Sequence, residues 1–170
     1  MSGIEVIAID VSDTTGKMEA LTTMAPVKFT TLAGFVENTI AWVGDKKIEL
    51  LHIQVHGNKN DLGFGPDRLS LSNFTEVYRR QLSKLAPFFA SGAWVNLRAC
   101  EVGQNVALLQ KLARAWNVTV VAGRGSQRNV LIDLNMGRYV TVKPDGSTES
   151  SFFQPPMAAW QNPIMRKLRW

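Results

Sequence analysis

Two histidines and one cysteine stand out in this 170-residue chain as side chains suited to nucleophilic and proton-transfer chemistry. His56 closes an apolar run and is followed at once by Gly57; Cys100 closes another such run 44 positions later. A cysteine attacks as its thiolate, and a neighbouring imidazole takes the proton or holds the sulfur in an ion pair. Gly57 lets backbone come close to a substrate, and its N–H is a candidate oxyanion donor together with that of Cys100. Asp10 ends the first apolar run, and Arg124 stands between Gly123 and Gly125 after a later one. If these runs are neighbouring parallel strands, all of these residues meet outside the carboxyl ends of one sheet, where open α/β sheets hold ligands. A lone cysteine is commonly just a small buried hydrophobe, so its surroundings must decide.

The elements that would position these residues are readable from periodicity. Residues 4 to 9 are rich in β-branched side chains and read as a strand ending at Asp10. Residues 11 to 30 are polar and give no clear period, apart from a short strand near 27 to 30. From 31 to 43, Leu32, Phe35, Val36, Ile40 and Val43 recur at helical spacing, with Thr30 or Thr31 as cap. Residues 48 to 55 form a buried strand that stops at His56. Residues 58 to 67 read as a loop with a short hairpin around 62 to 64. Ser72 or Asn73 caps a helix to about residue 85, with Pro87 beyond its end. A strand at 93 to 99 leads into Cys100. A helix from 103 to 116 follows, with Val106, Leu109, Leu112, Ala113 and Trp116 on one face; its start would place positive potential beside the sulfur. A strand at 118 to 122 runs into Gly123, and strands at 130 to 134 and 138 to 143 flank a turn. This alternation predicts an α/β domain over residues 1 to 152, a three-layer sandwich whose mainly parallel central sheet is flanked by helices. A tail at 153 to 170, with Pro155, Pro156, Pro163, Trp160 and Trp170, would pack on the domain or on a partner.

Composition narrows the function classes. Hydrophobic residues make up 45% and charged residues 19%, ordinary for a globular chain. The net charge of +5 is scattered, densest at Arg166, Lys167 and Arg169, and matches no nucleic-acid motif, so nucleic acid is not an expected partner. No apolar run approaches the ~20 residues of a membrane span. No basic segment precedes an apolar one at the N-terminus, so a cytoplasmic location is the default expectation, with signal-less secretion left open. One cysteine allows neither an internal disulfide nor a multi-cysteine zinc site, and no metal or organic cofactor is expected.

Two segments carry a family resemblance. Residues 51 to 57, Leu-His-Ile-Gln-Val-His-Gly, resemble the strand-then-His-Gly element of the caspase-like superfamily of cysteine peptidases. Residues 95 to 103, Val-Asn-Leu-Arg-Ala-Cys-Glu-Val-Gly, resemble its strand-then-Ala-Cys-x-x-Gly element. The order, histidine first, and the spacing are also similar, and the wider pattern is similar to bacterial members of the superfamily. The resemblance spans roughly residues 4 to 125. It implies a caspase-like fold and hydrolysis of a protein or peptide substrate, with Cys100 as nucleophile and His56 as its proton partner. It also implies that Arg98, on the same strand face as Cys100, lines the pocket for the side chain before the cleaved bond. An arginine there favours a carboxylate, hence cleavage after Asp or Glu, with Arg124 as a second contributor.

Other readings stand beside these. Arg98 pairs with Asp10 in one of them, tying two strand ends together; in another, Asp10 orients His56 or enters the pocket. Such folds include members that have lost activity, so the alternative function is a catalytically inactive binding, adaptor or effector module. A nucleotide-binding sheet is a weaker alternative, because Gly123, Arg124, Gly125 and Ser126 match neither the P-loop nor the dinucleotide fingerprint. His52, about 13 Å deeper along the strand, reads as a hydrogen-bonded core residue. Glu101 reads as a solvated residue at a helix start, Asp61 and Asp67 as residues shaping access, Trp42, Trp94 and Trp116 as packing residues, and Trp160 and Trp170 as docking residues of the tail.

Overall fold

The computed structural model describes residues 3–130, 132–135 and 138–152, with residues 127–130 and 132–135 described as backbone alone. In chain order the elements are β1 (Ile4–Asp10), α1 (Thr14–Thr22), β2 (Val27–Phe29), α2 (Leu32–Val43), β3 (Ile48–Gln54), β4 (His56–Gly57), β5 (Asp61–Phe64), β6 (Asp67–Ser70) and α3 (Glu76–Ser83). Then come β7 (Phe89–Arg98), α4 (Val106–Trp116), β8 (Thr119–Gly123), β9 (Gln127–Val130), β10 (Ile132–Asn135), β11 (Tyr139–Val142) and β12 (Thr148–Ser151). Among the described residues, no helix is long and apolar enough to cross a membrane.

Seven strands form the central sheet in the order β12-β11-β8-β7-β3-β1-β2. The five from β8 to β2 are parallel, and β11 and β12 extend the sheet antiparallel. The expected mixed α/β architecture with a mainly parallel sheet is therefore present. Alternation divides the strand residues between two faces. Val6, Ala8, Leu51, Ile53, Val95, Leu97, Val120 and Ala122 lie on one face, packed with Phe35 and Val36 of α2, Leu82 of α3, and Leu109, Leu112 and Trp116 of α4 in one apolar core. Each fully buried Leu, Ile or Phe there is worth about 1.5–3 kcal/mol. Phe29, Phe35 and Phe64 meet within it, the first two edge-on with centroids 5.2 Å apart.

The opposite face is more polar, with buried His52, Gln54, Asn96 and Thr141 beside a smaller cluster of Leu50, Val121, Tyr139 and Trp94. Helix α1 lies over this face, since its Glu19 carboxylate accepts a bond from the Gln54 amide. The placement follows from connection handedness. The crossover from β1 to β2 moves along the sheet in the opposite direction to those from β2 to β3, β3 to β7 and β7 to β8, so its helix lands on the other face.

Several boundaries differ from the sequence expectation. Helix α1 falls within residues 11 to 30, where no period was visible, because its apolar residues do not form a buried stripe: Met18 is 65% and Leu21 83% exposed. Helix α3 begins at Glu76, behind Thr75, rather than near 73, because Asn73 is taken up in a turn with Arg68 and Ser70. Helix α4 begins at Val106 rather than 103, capped by Asn105, whose side chain accepts from the Leu108 N–H. The loop after His56 is a three-stranded sheet, β4-β5-β6. In the last third, β9 and β10 form their own hairpin, while β11 pairs with β8 and with β12, a strand not foreseen. The tail at 153 to 170, Trp160 and Trp170 included, lies outside the described residues.

Candidate functional site

The edge that holds His56 and Cys100 is set by the register of β3 against β7. Leu51 pairs with Val95, His52 with Asn96, and Gln54 with Arg98. One further bond, from the Val55 N–H to the Arg98 carbonyl at 3.2 Å, carries the ladder past the strand end. His56 lies two residues beyond Gln54, and Cys100 two beyond Arg98. Both therefore follow the ends of adjacent strands at the same level of the ladder. Gly57 closes the approach: a Cβ built on it would stand 2.9 Å from Ala99 Cβ and 3.3 Å from the Cys100 carbonyl oxygen. Only a residue without a side chain lets the His-Gly backbone lie flat on the Ala-Cys backbone.

The ladder also fixes the Gly57 N–H. Asn58 donates to the Asp61 carbonyl at 3.0 Å, and hydrogen-bonded pairs alternate along an antiparallel ladder. Gly57 and Leu62 form the intervening non-bonded pair, so the Gly57 N–H is directed away from β5.

The His56 ring is 61% exposed, and its Nε2 meets the Asp13 carboxylate at 2.5 Å. Asp13 also caps α1, its Oδ1 accepting from the Gly16 N–H at 2.8 Å. The Gly16 bond and, in lesser part, the His56 ring hold the Asp13 carboxyl below its ordinary value, against a desolvation effect in the other direction. Sequence reasoning looked to Asp10 for this role and missed Asp13. The signal available was an aspartate three residues past a strand end and three before a glycine, the spacing of an N-cap.

Cys100 is half-buried and not in a disulfide. Glu101, next to it, has φ +57, in the left-handed region, and turns the chain into a short 3-10 segment, Val102–Gln104. The α4 helix starts only at Val106, so the expected helix N-terminus beside the sulfur is not there. What holds the turn is Gly125: the Glu101 N–H donates to its carbonyl at 2.9 Å, and the Gln104 side chain donates to the Arg124 carbonyl. Gly103 packs on β8 so closely that a Cβ would lie 2.6 Å from the Gly123 carbonyl oxygen. The glycine of the Ala-Cys-x-x-Gly element is thus required by packing. Glu101, expected at a helix start, is a turn residue.

Arg98 is half-buried at the end of β7, and Arg124 is exposed just past the end of β8, with its N–H bonded to the Arg138 carbonyl. Asp10 is 5% exposed, and its carboxylate accepts from the N–H groups of Ser12 at 2.9 Å and Gly65 at 2.6 Å. Those bonds replace the expected pairing with Arg98, which stands two strands away, and the expected orienting of His56. Asp10 pins the β5-β6 turn to the end of β1. Asp67 acts similarly, accepting from the Leu32 N–H at the start of α2. Asp61 pairs with Arg68, whose guanidinium lies across Gly63, the residue opposite His56.

The remaining candidates have structural places. His52, 2% exposed, sits between Glu5 and Asn96, each 3.2 Å from a ring nitrogen. Trp116 is buried and donates to the Leu82 carbonyl, and Trp94 packs on the smaller cluster. Trp42, expected to pack, is 44% exposed. Among the described residues there is no group of three His, Cys, Asp or Glu able to hold a metal ion.

Comparison with known families adds one match. Residues 10–128 match a family described as Domain of unknown function (DUF4347). The chain belongs to this family. The DUF4347 match begins at Asp10 and ends inside β9, so it takes in His56, the β4-β5-β6 sheet, Cys100 and the Gly123-Arg124-Gly125 turn. No curated protein matches the chain.

Proposed function

We propose that this DUF4347 domain is caspase-like in fold and acts as a cysteine peptidase on protein or peptide substrates. The observation that carries the reading is the in-register exit of His56 and Cys100 from two adjacent parallel strands, with the Gly57 backbone seated against Ala99 and Cys100. In this reading His56 takes the thiol proton and the sulfur attacks the scissile carbonyl carbon. The N–H groups of Gly57 and Cys100 stabilise the oxyanion of the tetrahedral intermediate. When that intermediate collapses, the C–N bond breaks and His56 returns the proton to the leaving amine. Water, deprotonated by His56, then hydrolyses the thioester and restores the thiol. Arg98 and Arg124 line the acidic-residue pocket, giving cleavage after Asp or Glu. Asp10 has an anchoring role outside that pocket.

The test is alkylation and cleavage on the intact chain. Cys100 is expected to react with iodoacetamide at pH 6, and His56→Ala is expected to slow that reaction at least tenfold. Fluorogenic peptides differing only in the residue before the scissile bond should be cleaved fastest after Asp or Glu, and not at all by Cys100→Ala. A thiol that labels only after denaturation ends the peptidase reading and leaves the inactive binding module. Faster cleavage after Arg or Lys ends the acidic preference alone.

A further inference from the structure

We propose that Asp13 is a positioning residue for His56 and that α1 is the arm that presents it. This deepens the peptidase reading and rests on it only for the consequence for the thiol. Helix α1 is fixed to the carboxyl edge of the sheet at three points. Gly16 lies so close to the Asp10 carbonyl that a Cβ would sit 1.7 Å from its oxygen. Glu19 accepts from Gln54. Between the sheet and its own first turn, Asp13 divides its carboxylate, with Oδ1 on the Gly16 N–H and Oδ2 on His56 Nε2. Holding Nε2 as the donor selects the ring tautomer in which Nδ1 carries the lone pair. Nδ1 is then the nitrogen that takes a proton from the sulfur, and the Asp13 charge stabilises the imidazolium that results. On the neighbouring elements, Cys100 follows the adjacent strand β7, and Arg68, paired with Asp61, lies over Gly63 across the small sheet. Asp13 is the carboxylate in contact with the ring.

Asn caps helices about as well as Asp, so Asp13→Asn removes the charge and keeps the cap. The measurement is the ring tautomer of His56, read from its ring nitrogen shifts by NMR above neutral pH in the full chain and assigned against His56→Ala. With its oxygen kept on the Gly16 N–H, the variant's amide offers the ring an N–H in place of an acceptor, so the proton should leave Nε2 and the form protonated on Nδ1 should rise about threefold or more. An unchanged tautomer ratio, with the melting temperature unchanged, overturns the proposal. Alkylation of Cys100 at pH 6 is read on the same samples. A changed tautomer with a wild-type thiol that does not label at pH 6 supports the Asp13 contact and removes the peptidase reading. A thiol that labels at pH 6, with Asp13→Asn slowing it about threefold or more, supports both.

Discussion

Single residues without side chains do much of the work at this edge. Gly57 admits the Ala99-Cys100 backbone, and Gly103 admits the Gly123 carbonyl. Substituting Gly103 by Ala forces a methyl into backbone on β8, which cannot yield as a flexible side chain would. The expected cost is about 2–3 kcal/mol, seen as a lower urea midpoint, and the displaced turn should also slow alkylation of Cys100. An unchanged midpoint would show that the short 3-10 segment slides freely over β8. The His-Gly and Ala-Cys-x-x-Gly elements were legible in the sequence because glycine and cysteine at strand ends are conspicuous. Asp13 was not, because a capping aspartate reads as ordinary helix punctuation until the fold shows what stands across from it.

At the scale of elements, two buried or half-buried carboxylates hold pieces of structure together. Asp10 ties the β5-β6 turn to β1 through two backbone N–H groups. In Asp10→Ala both donors lose that partner, and about 2–3 kcal/mol of stability should go, measured by chemical denaturation. A loss under 0.5 kcal/mol would mean that water replaces the carboxylate at no cost. Asp13 makes a pH-dependent contribution. Its carboxyl is held below the ordinary value of 3.8, so its stabilisation is present in full above that value and fades as the pH falls through the lower folded value. Thermal melts between pH 5 and 2 should therefore show a component that Asp13→Asn lacks. Parallel acid profiles in the two proteins would refute it. Helices with a clear apolar stripe, such as α2, could be placed from sequence almost to the residue. Helix α1 could not, because its Met18 and Leu21 are exposed and its Glu19 meets the sheet through a polar contact with Gln54.

Across the whole molecule, the main parallel strands were readable as apolar runs alternating with helices, whereas the sheet after His56 was legible only as a short hairpin near residues 62 to 64. Strands β4, β5 and β6 are two to four residues long and carry Gly and Asp, which are depleted in strands, so their pairing comes from tertiary contact rather than propensity. The seven-stranded sheet ends at β2, three residues long, and at β12, which carries Glu149 in an ion pair with Lys143. Short and charged edges of this kind discourage strand addition from another chain.

The parallel register of β3 with β7 also bears on when reactivity can arise during synthesis. That ladder closes a loop of about 40 residues, a non-local pairing whose chain entropy must be overcome before its contacts offset it. Until β7 has left the ribosome and settled beside β3, the imidazole and the sulfur are simply two distant groups on a polymer. The pairing proposed for these two groups therefore arises only with that ladder and is absent from the unfolded nascent chain.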